Sequence, residues 1–136
     1  MPDRRPNILF VLTDQQRPEW VEMNPEIPVR TPHLEQLADR GIWLSNTVCP
    51  SPVCAPSRSC LVAGQEYDRT RVWGNDTCPP DDLPKYHLRL RDEAGYHVMA
   101  AGKHHVGNNQ SGNPPQLHRG IDGRQGLEEW GFSDAI

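Results

Sequence analysis

The stretch Asn7-Ile-Leu-Phe-Val-Leu-Thr13 constrains this chain most, because its apolar run is continuous where a half-solvated strand would alternate. Such a run suits a strand buried on both faces of a parallel sheet. It ends in Asp14-Gln15-Gln16, residues that a strand of this kind delivers to the carboxyl edge of the sheet, where open α/β folds bind their ligands.

The rest of the chain continues the alternation of strand and helix. Residues 16–30 hold Pro18, Pro25 and Pro28 among polar residues and read as an irregular connection. Thr31 then serves as a helix N-cap with Pro32 in the first helical position; Leu34, Leu37 and Ala38 share a face, and Gly41 stops the helix. Residues 42–48 look like a short strand. Residues 83–94 read as a second helix with Tyr86, Leu90 and Ala94 in one stripe, ended by Gly95 and followed by a strand over 96–101. This order predicts an α/β fold with right-handed crossovers. Beyond Gly102 the chain turns polar and glycine-rich through Gly126, and residues 127–136 regain some pattern. With 11 glycines and 14 prolines in 136 residues, loops are expected to take a large share.

A net charge of −4, with both signs interspersed, leaves no basic stripe for a phosphate backbone, so nucleic acid is not an expected partner. The longest apolar run, residues 8–12, is too short for a transmembrane helix or a signal-peptide core. The chain as given therefore reads as soluble and cytoplasmic unless an upstream leader was removed, with no membrane association. Cys49, Cys54, Cys60 and Cys78 lack the C-x2-C spacing of structural zinc. Cys49, Cys60 and Cys78 read as ordinary buried thiols.

Cys54-Ala-Pro-Ser-Arg58, followed by Ser-Cys-Leu-Val-Ala-Gly64, is the most informative segment. Pro56 suits the first turn of a helix and Gly64 its end, which puts Cys54 at the N-terminus, where free N–H groups and the macrodipole favour an anion. Arg58 then lies one turn on, on roughly the same face. Taken alone, the cluster fits a structural cysteine, a low-pKa thiolate nucleophile or a cysteine modified after synthesis.

The full string resembles the C-x-P-S-R signature of type I sulfatases, whose cysteine is oxidised by a separate enzyme to formylglycine. Residues 5–14 look like that family's first strand and metal-ligand segment, residues 31–38 like its next helix, and Cys49-Pro-Ser-Pro-Val-Cys54 like the approach to the signature. Glu93-Ala-Gly-Tyr96 and Gly102-Lys-His-His-Val-Gly107 resemble its EAGY and GKWHLG elements, with His104 standing where the family has Trp. The match runs from Arg5 to about Gly107 in the family's order.

The resemblance implies an alkaline-phosphatase-like α/β fold, a mainly parallel sheet flanked by helices, and hydrolysis of a sulfate monoester by formylglycine derived from Cys54. It implies Asp14, Gln15 and the modified Cys54 as ligands of a divalent cation. Their hard oxygen donors favour Ca²⁺, or Mg²⁺ or Mn²⁺, over zinc. Gln15, where the family often has Asp, lowers the ligand charge by one unit. Arg58 would hold the modified residue, and Lys103 and His105 the sulfate oxygens; two positions apart in extended backbone, those two side chains point to the same side.

Calcium takes about six to eight oxygen ligands, and the family's remaining carboxylate ligand has no matching segment after Gly107. Residues 1–136 are therefore expected to form the N-terminal portion of a sulfatase catalytic domain, with the C-terminal part missing and the isolated chain inactive. The expected partners are a small-molecule or carbohydrate sulfate ester and the maturation enzyme; oligomeric state is left open. Two other readings stand beside this one: a phosphonate monoester or phosphodiester hydrolase using the same nucleophile, and a truncated, non-catalytic remnant that binds anions.

Overall fold

The computed structural model describes residues 5–24, 26–105 and 130–135. The polar loop expected beyond Gly102 lies outside the described residues from 106 onward, as does the start of the last patterned segment. The chain divides into two compact units, Met1–Thr47 and Val48–Ile136.

In the first unit the strand expected over residues 7–13 is absent, and so is the one expected over 42–48. A strand exists only where a neighbour takes up its N–H and C=O groups, and neither stretch has a ladder partner among the described residues. Leu9, at 88% exposure, and Val11, at 75%, face solvent in place of a sheet interior. Helix α1, Pro32–Asp39, forms where expected, with Pro32 in its first turn and the Thr31 carbonyl accepting from the Leu34 and Glu35 N–H groups at 2.9 and 3.1 Å. Its apolar face is not buried. The Thr31 side chain does not cap its own helix. Its hydroxyl accepts from the Glu22 N–H at 2.8 Å while the Thr31 N–H donates to Glu22 Oε2 at 3.0 Å, a reciprocal pair that closes the loop before the helix.

The second unit contains helix α2, Cys54–Ala63, ended by Gly64 in the left-handed conformation, φ 62. There the absence of a Cβ permits the turn that terminates the helix. Helix α3 is the single turn Tyr67–Thr70. The helix expected over residues 83–94 begins later, at Tyr86, because Pro84 disfavours helical backbone at Leu83 and Lys85 is extended. Helix α4, Tyr86–Leu88, runs on into one wide π-helical turn, Arg89–Glu93, in which the Ala94 N–H reaches the Arg89 carbonyl at 3.0 Å. Of the strand expected over 96–101, only β1, Met99–Ala100, forms; it pairs in parallel with β2, Asp134–Ala135. The described residues thus give helices and one short parallel pair, not the mainly parallel sheet expected from the sequence, since no third strand joins it.

Val62, Trp130 and Phe132 form the buried core of this unit, with Tyr86, Val98 and Ala100 packed against it. Gly131 makes that packing possible. It sits at φ 82, and a Cβ there would lie 2.3 Å from the Leu88 backbone nitrogen, so the segment bearing Trp130 and Phe132 rests directly on the main chain of α4. Of the cysteines expected to be buried, Cys60 is and Cys49 and Cys78 are exposed. Both lie in irregular segments that leave their thiols at the surface.

Gly64 and Gly131 allow a controlled comparison. Gly64→Ala meets open space and is expected to cost about 1–2 kcal/mol from left-handed backbone alone. Gly131→Ala adds a collision with backbone and is expected to lower the midpoint of urea unfolding further; equal midpoints for the two variants would contradict this packing.

Candidate active site

Cys54 is the first residue of α2 and is half-buried, with Val53 as an extended N-cap. No side chain of the N-cap residue reaches the helix. Asn75, from the loop after α3, supplies the missing acceptor: its Oδ1 takes the Ala55 N–H at 2.9 Å. This satisfies one of the orphan donors of the first turn and ties the loop to the residue beside Cys54. Upstream, Cys49 Sγ lies 3.0 Å from Ser57 Oγ and 2.9 Å from the Ser51 carbonyl, so the approach to the helix folds back onto its first turn.

Two cations converge on this helix end. The Arg58 guanidinium donates to the Lys103 carbonyl at 2.9 Å, and Lys103 Nζ lies 3.8 Å from Cys54 Sγ. Gly102, at φ 80, turns the chain after β1 so that Lys103 can reach back. The two positive side chains and the positive end of the α2 dipole favour a small anion at this point. Cys60, one and a half turns further along the helix, differs in kind: it is buried, and burial pushes its thiol up, as befits an inert packing residue.

The structure brings Cys54, Arg58 and Lys103 together. His105 belongs to the same segment and is half-buried, but its φ of 55 breaks the extended backbone on which the Lys103/His105 alternation was based. Asp14 and Gln15 belong to the first unit, where they stand exposed and consecutive at a bend, with Gln15 at φ 52. Among the described residues no three His, Cys, Asp or Glu side chains gather as a metal cage, and no helix is long and apolar enough to cross a membrane.

Three residues beside the site escaped the sequence reading. Asn75 carries no spacing signal, because its partner lies 20 positions away. His87 and His104 read as unassigned polar residues, yet both rings sit in an aromatic cluster: His87 lies 4.4 Å from Phe132, and His104 packs edge-on against Trp130 and Phe132, each at 5.1 Å. Burial pushes the His87 imidazole down to about 4. Burial also pushes His104 down to about 3, aided by repulsion from His87 and from Arg58.

Comparison with known proteins gives the chain's family. The sequence profile described as Sulfatase matches residues 6–136. The chain is 37% identical to a choline-sulfatase of Rhizobium meliloti over 119 residues, covering 87% of this chain and 22% of that protein. It is 32% identical to an ulvan-active sulfatase of Formosa agariphila, covering 93% of this chain and 24% of the relative. Arylsulfatase K of Danio rerio is 28% identical, over 73% of this chain and 19% of its own length. The chain belongs to the sulfatase family. It spans about a fifth to a quarter of the length of these relatives.

The two neutral imidazoles carry a pH dependence. An unfolded histidine takes up its proton near pH 6.5, whereas the folded rings resist protonation until about 4 and about 3. Below about pH 6.5 the unfolded chain therefore binds more protons than the folded one, and the stability present above that pH is lost as pH falls toward the folded values. His104→Phe is expected to flatten the loss between pH 7 and 4.5 in urea unfolding; curves that stay parallel to wild type would contradict a buried neutral His104.

Proposed function

We propose that this chain is the N-terminal portion of the catalytic domain of a sulfatase that hydrolyses a sulfate monoester, with Cys54 oxidised to formylglycine as the nucleophile-bearing residue. One observation carries the reading: Lys103 Nζ stands 3.8 Å from Cys54 Sγ while Arg58 grips the Lys103 carbonyl. A structural cysteine has no need of two convergent cations at a helix N-terminus. A site that must hold the sulfate group of an ester and the sulfate dianion it releases does.

Each residue has a part in that chemistry. Cys54, half-buried at the start of α2, is open to modification and to a small anion. Lys103 places positive charge on the sulfate oxygens, and Arg58 fixes Lys103 while adding its own charge beside the helix end. In a site partly closed to water such fixed charges stabilise the negative charge that builds up on the transferring group, with little reorganisation. His105 completes the set by the family's pattern. Asp14 and Gln15 offer a carboxylate and an amide oxygen side by side, a hard donor pair that fits Ca²⁺ or Mg²⁺, or Mn²⁺. Such a cation, when bound, supplies a Lewis acid that orients and polarises the reacting oxygen. The reading carries with it an alkaline-phosphatase-like fold, in which residues 7–13 serve as a strand of a mainly parallel sheet.

The relatives named above are a choline-sulfatase, an ulvan-active sulfatase and an arylsulfatase. Their names support the reading of a sulfate ester, of a small molecule or a carbohydrate, over a phosphonate monoester or a phosphodiester. The reading also requires the maturation enzyme as a partner.

Co-expression with that maturation enzyme tests it. Trypsin releases residues 41–58, and fragment mass spectrometry is expected to show –CHO in place of –CH2SH at Cys54, with Cys49 unchanged. An intact thiol at Cys54, in a host that converts a control sulfatase, would overturn the assignment and leave an anion-binding remnant.

A further inference from the structure

Lys103 is an exposed residue on an irregular segment, a placement that ordinarily leaves a lysine free to sample many rotamers. Its main chain is nonetheless held from both sides. Arg58 takes its carbonyl at 2.9 Å, and the next residue, His104, is sunk in the aromatic cluster. The His104 ring meets Trp130 and Phe132 edge-on, each at an interplanar angle of 81°, and stands 6.0 Å from His87 of α4. Both its ring nitrogens are buried, and neither has a hydrogen-bond partner among the described residues. A buried polar atom left in that state is uncommon and calls for a reason. Here the ring serves as a planar wedge: packing alone holds it, and what it holds in turn is the peptide that presents Lys103.

We propose that His104 is a positioning residue of the anion site: its ring, seated against Trp130, Phe132 and His87, sets the Lys103 main chain so that Arg58 can grip the carbonyl and Nζ stays beside residue 54. The inference deepens the reading of Lys103 as a sulfate-holding group and rests on it for its catalytic meaning. Its geometry can be tested without any catalysis. The wedge needs shape and apolar surface rather than a proton, so another flat ring of similar size should serve and a small side chain should not.

The test uses the chain with Cys54 left as a thiol. Rates of alkylation at Cys54 are measured at one pH with iodoacetate and with iodoacetamide, using fragment mass spectrometry of residues 41–58 to separate Cys54 from Cys49. The thiolate fraction cancels in the ratio of the two rates, so the ratio reads the positive charge beside the sulfur. Lys103→Met is expected to lower it about fivefold, the effect of one unit charge near 4 Å in water. His104→Ala is expected to lower it by a similar factor although Lys103 is still present, and the double variant to lower it no further. His104→Phe is expected to keep the wild-type ratio.

A wild-type ratio in His104→Ala overturns the proposal, as does a Lys103→Met variant that leaves the ratio unchanged. Circular dichroism establishes that each variant folds. If His104→Ala does not, Phe132→Leu takes its place, trimming the pocket without touching the Lys103 segment; it is expected to lower the ratio, and a wild-type value overturns the proposal equally. The expected ratios in a protein whose Cys54 stays a thiol beside the maturation enzyme would remove the proposed function and leave the positioning role intact. Unchanged ratios in a protein whose Cys54 is converted to formylglycine would do the reverse.

Discussion

One hydrogen bond organises the site: the Arg58 guanidinium donates to the carbonyl of Lys103, 45 residues later in the chain. Arg58 is fixed by its place on α2, one turn beyond Cys54, so whatever it grips is brought to the helix N-terminus. The bond leaves the Lys103 side chain to reach Cys54 Sγ. A charge-assisted bond of this kind is worth roughly twice a neutral one, and here it reinforces the packing of Val62 of α2 in the same cluster as Val98 and Ala100.

The same neighbourhood joins site and core. The segment from β1 through Lys103 and His104 faces the aromatic cluster on one side and the helix end on the other, and Gly131 lets the Trp130–Phe132 backbone sit close enough to α4 to complete that cluster. Lys85 adds its ammonium over the Trp130 ring at 4.9 Å. Two positive residues, Arg58 and Lys103, lie beside two buried imidazoles that are held neutral largely by burial.

Local signals in the sequence were reliable where a few neighbouring residues decide the outcome. Pro32, Pro56, Gly64 and Gly95 mark helix starts and stops that the structure keeps, because φ preferences act within a turn, whereas Thr31 keeps its place at the start of α1 without a side-chain cap. The Cys54/Arg58 relation followed from helical spacing alone. Strands were less legible: residues 7–13 have the composition of a buried strand, but strand formation depends on partners remote in sequence, and no ladder forms there. Pro84 shortens the second expected helix, because its restriction on the backbone of the preceding residue overrides the apolar stripe. Asn75 and the pairing of His104 with Trp130 and Phe132 were beyond reach, since each joins positions that no period or spacing relates.

The central claim is that Cys54, Arg58 and Lys103 form one pocket for a small dianion. Titration of the isotopically labelled chain with inorganic sulfate, followed by ¹⁵N NMR, tests it most directly. The Cys54 and Ala55 amides and the Arg58 side-chain Nε signal are expected to move together and saturably, and to stay still in Lys103→Met. Sulfate that leaves these signals in place, or moves them equally without Lys103, would contradict the account.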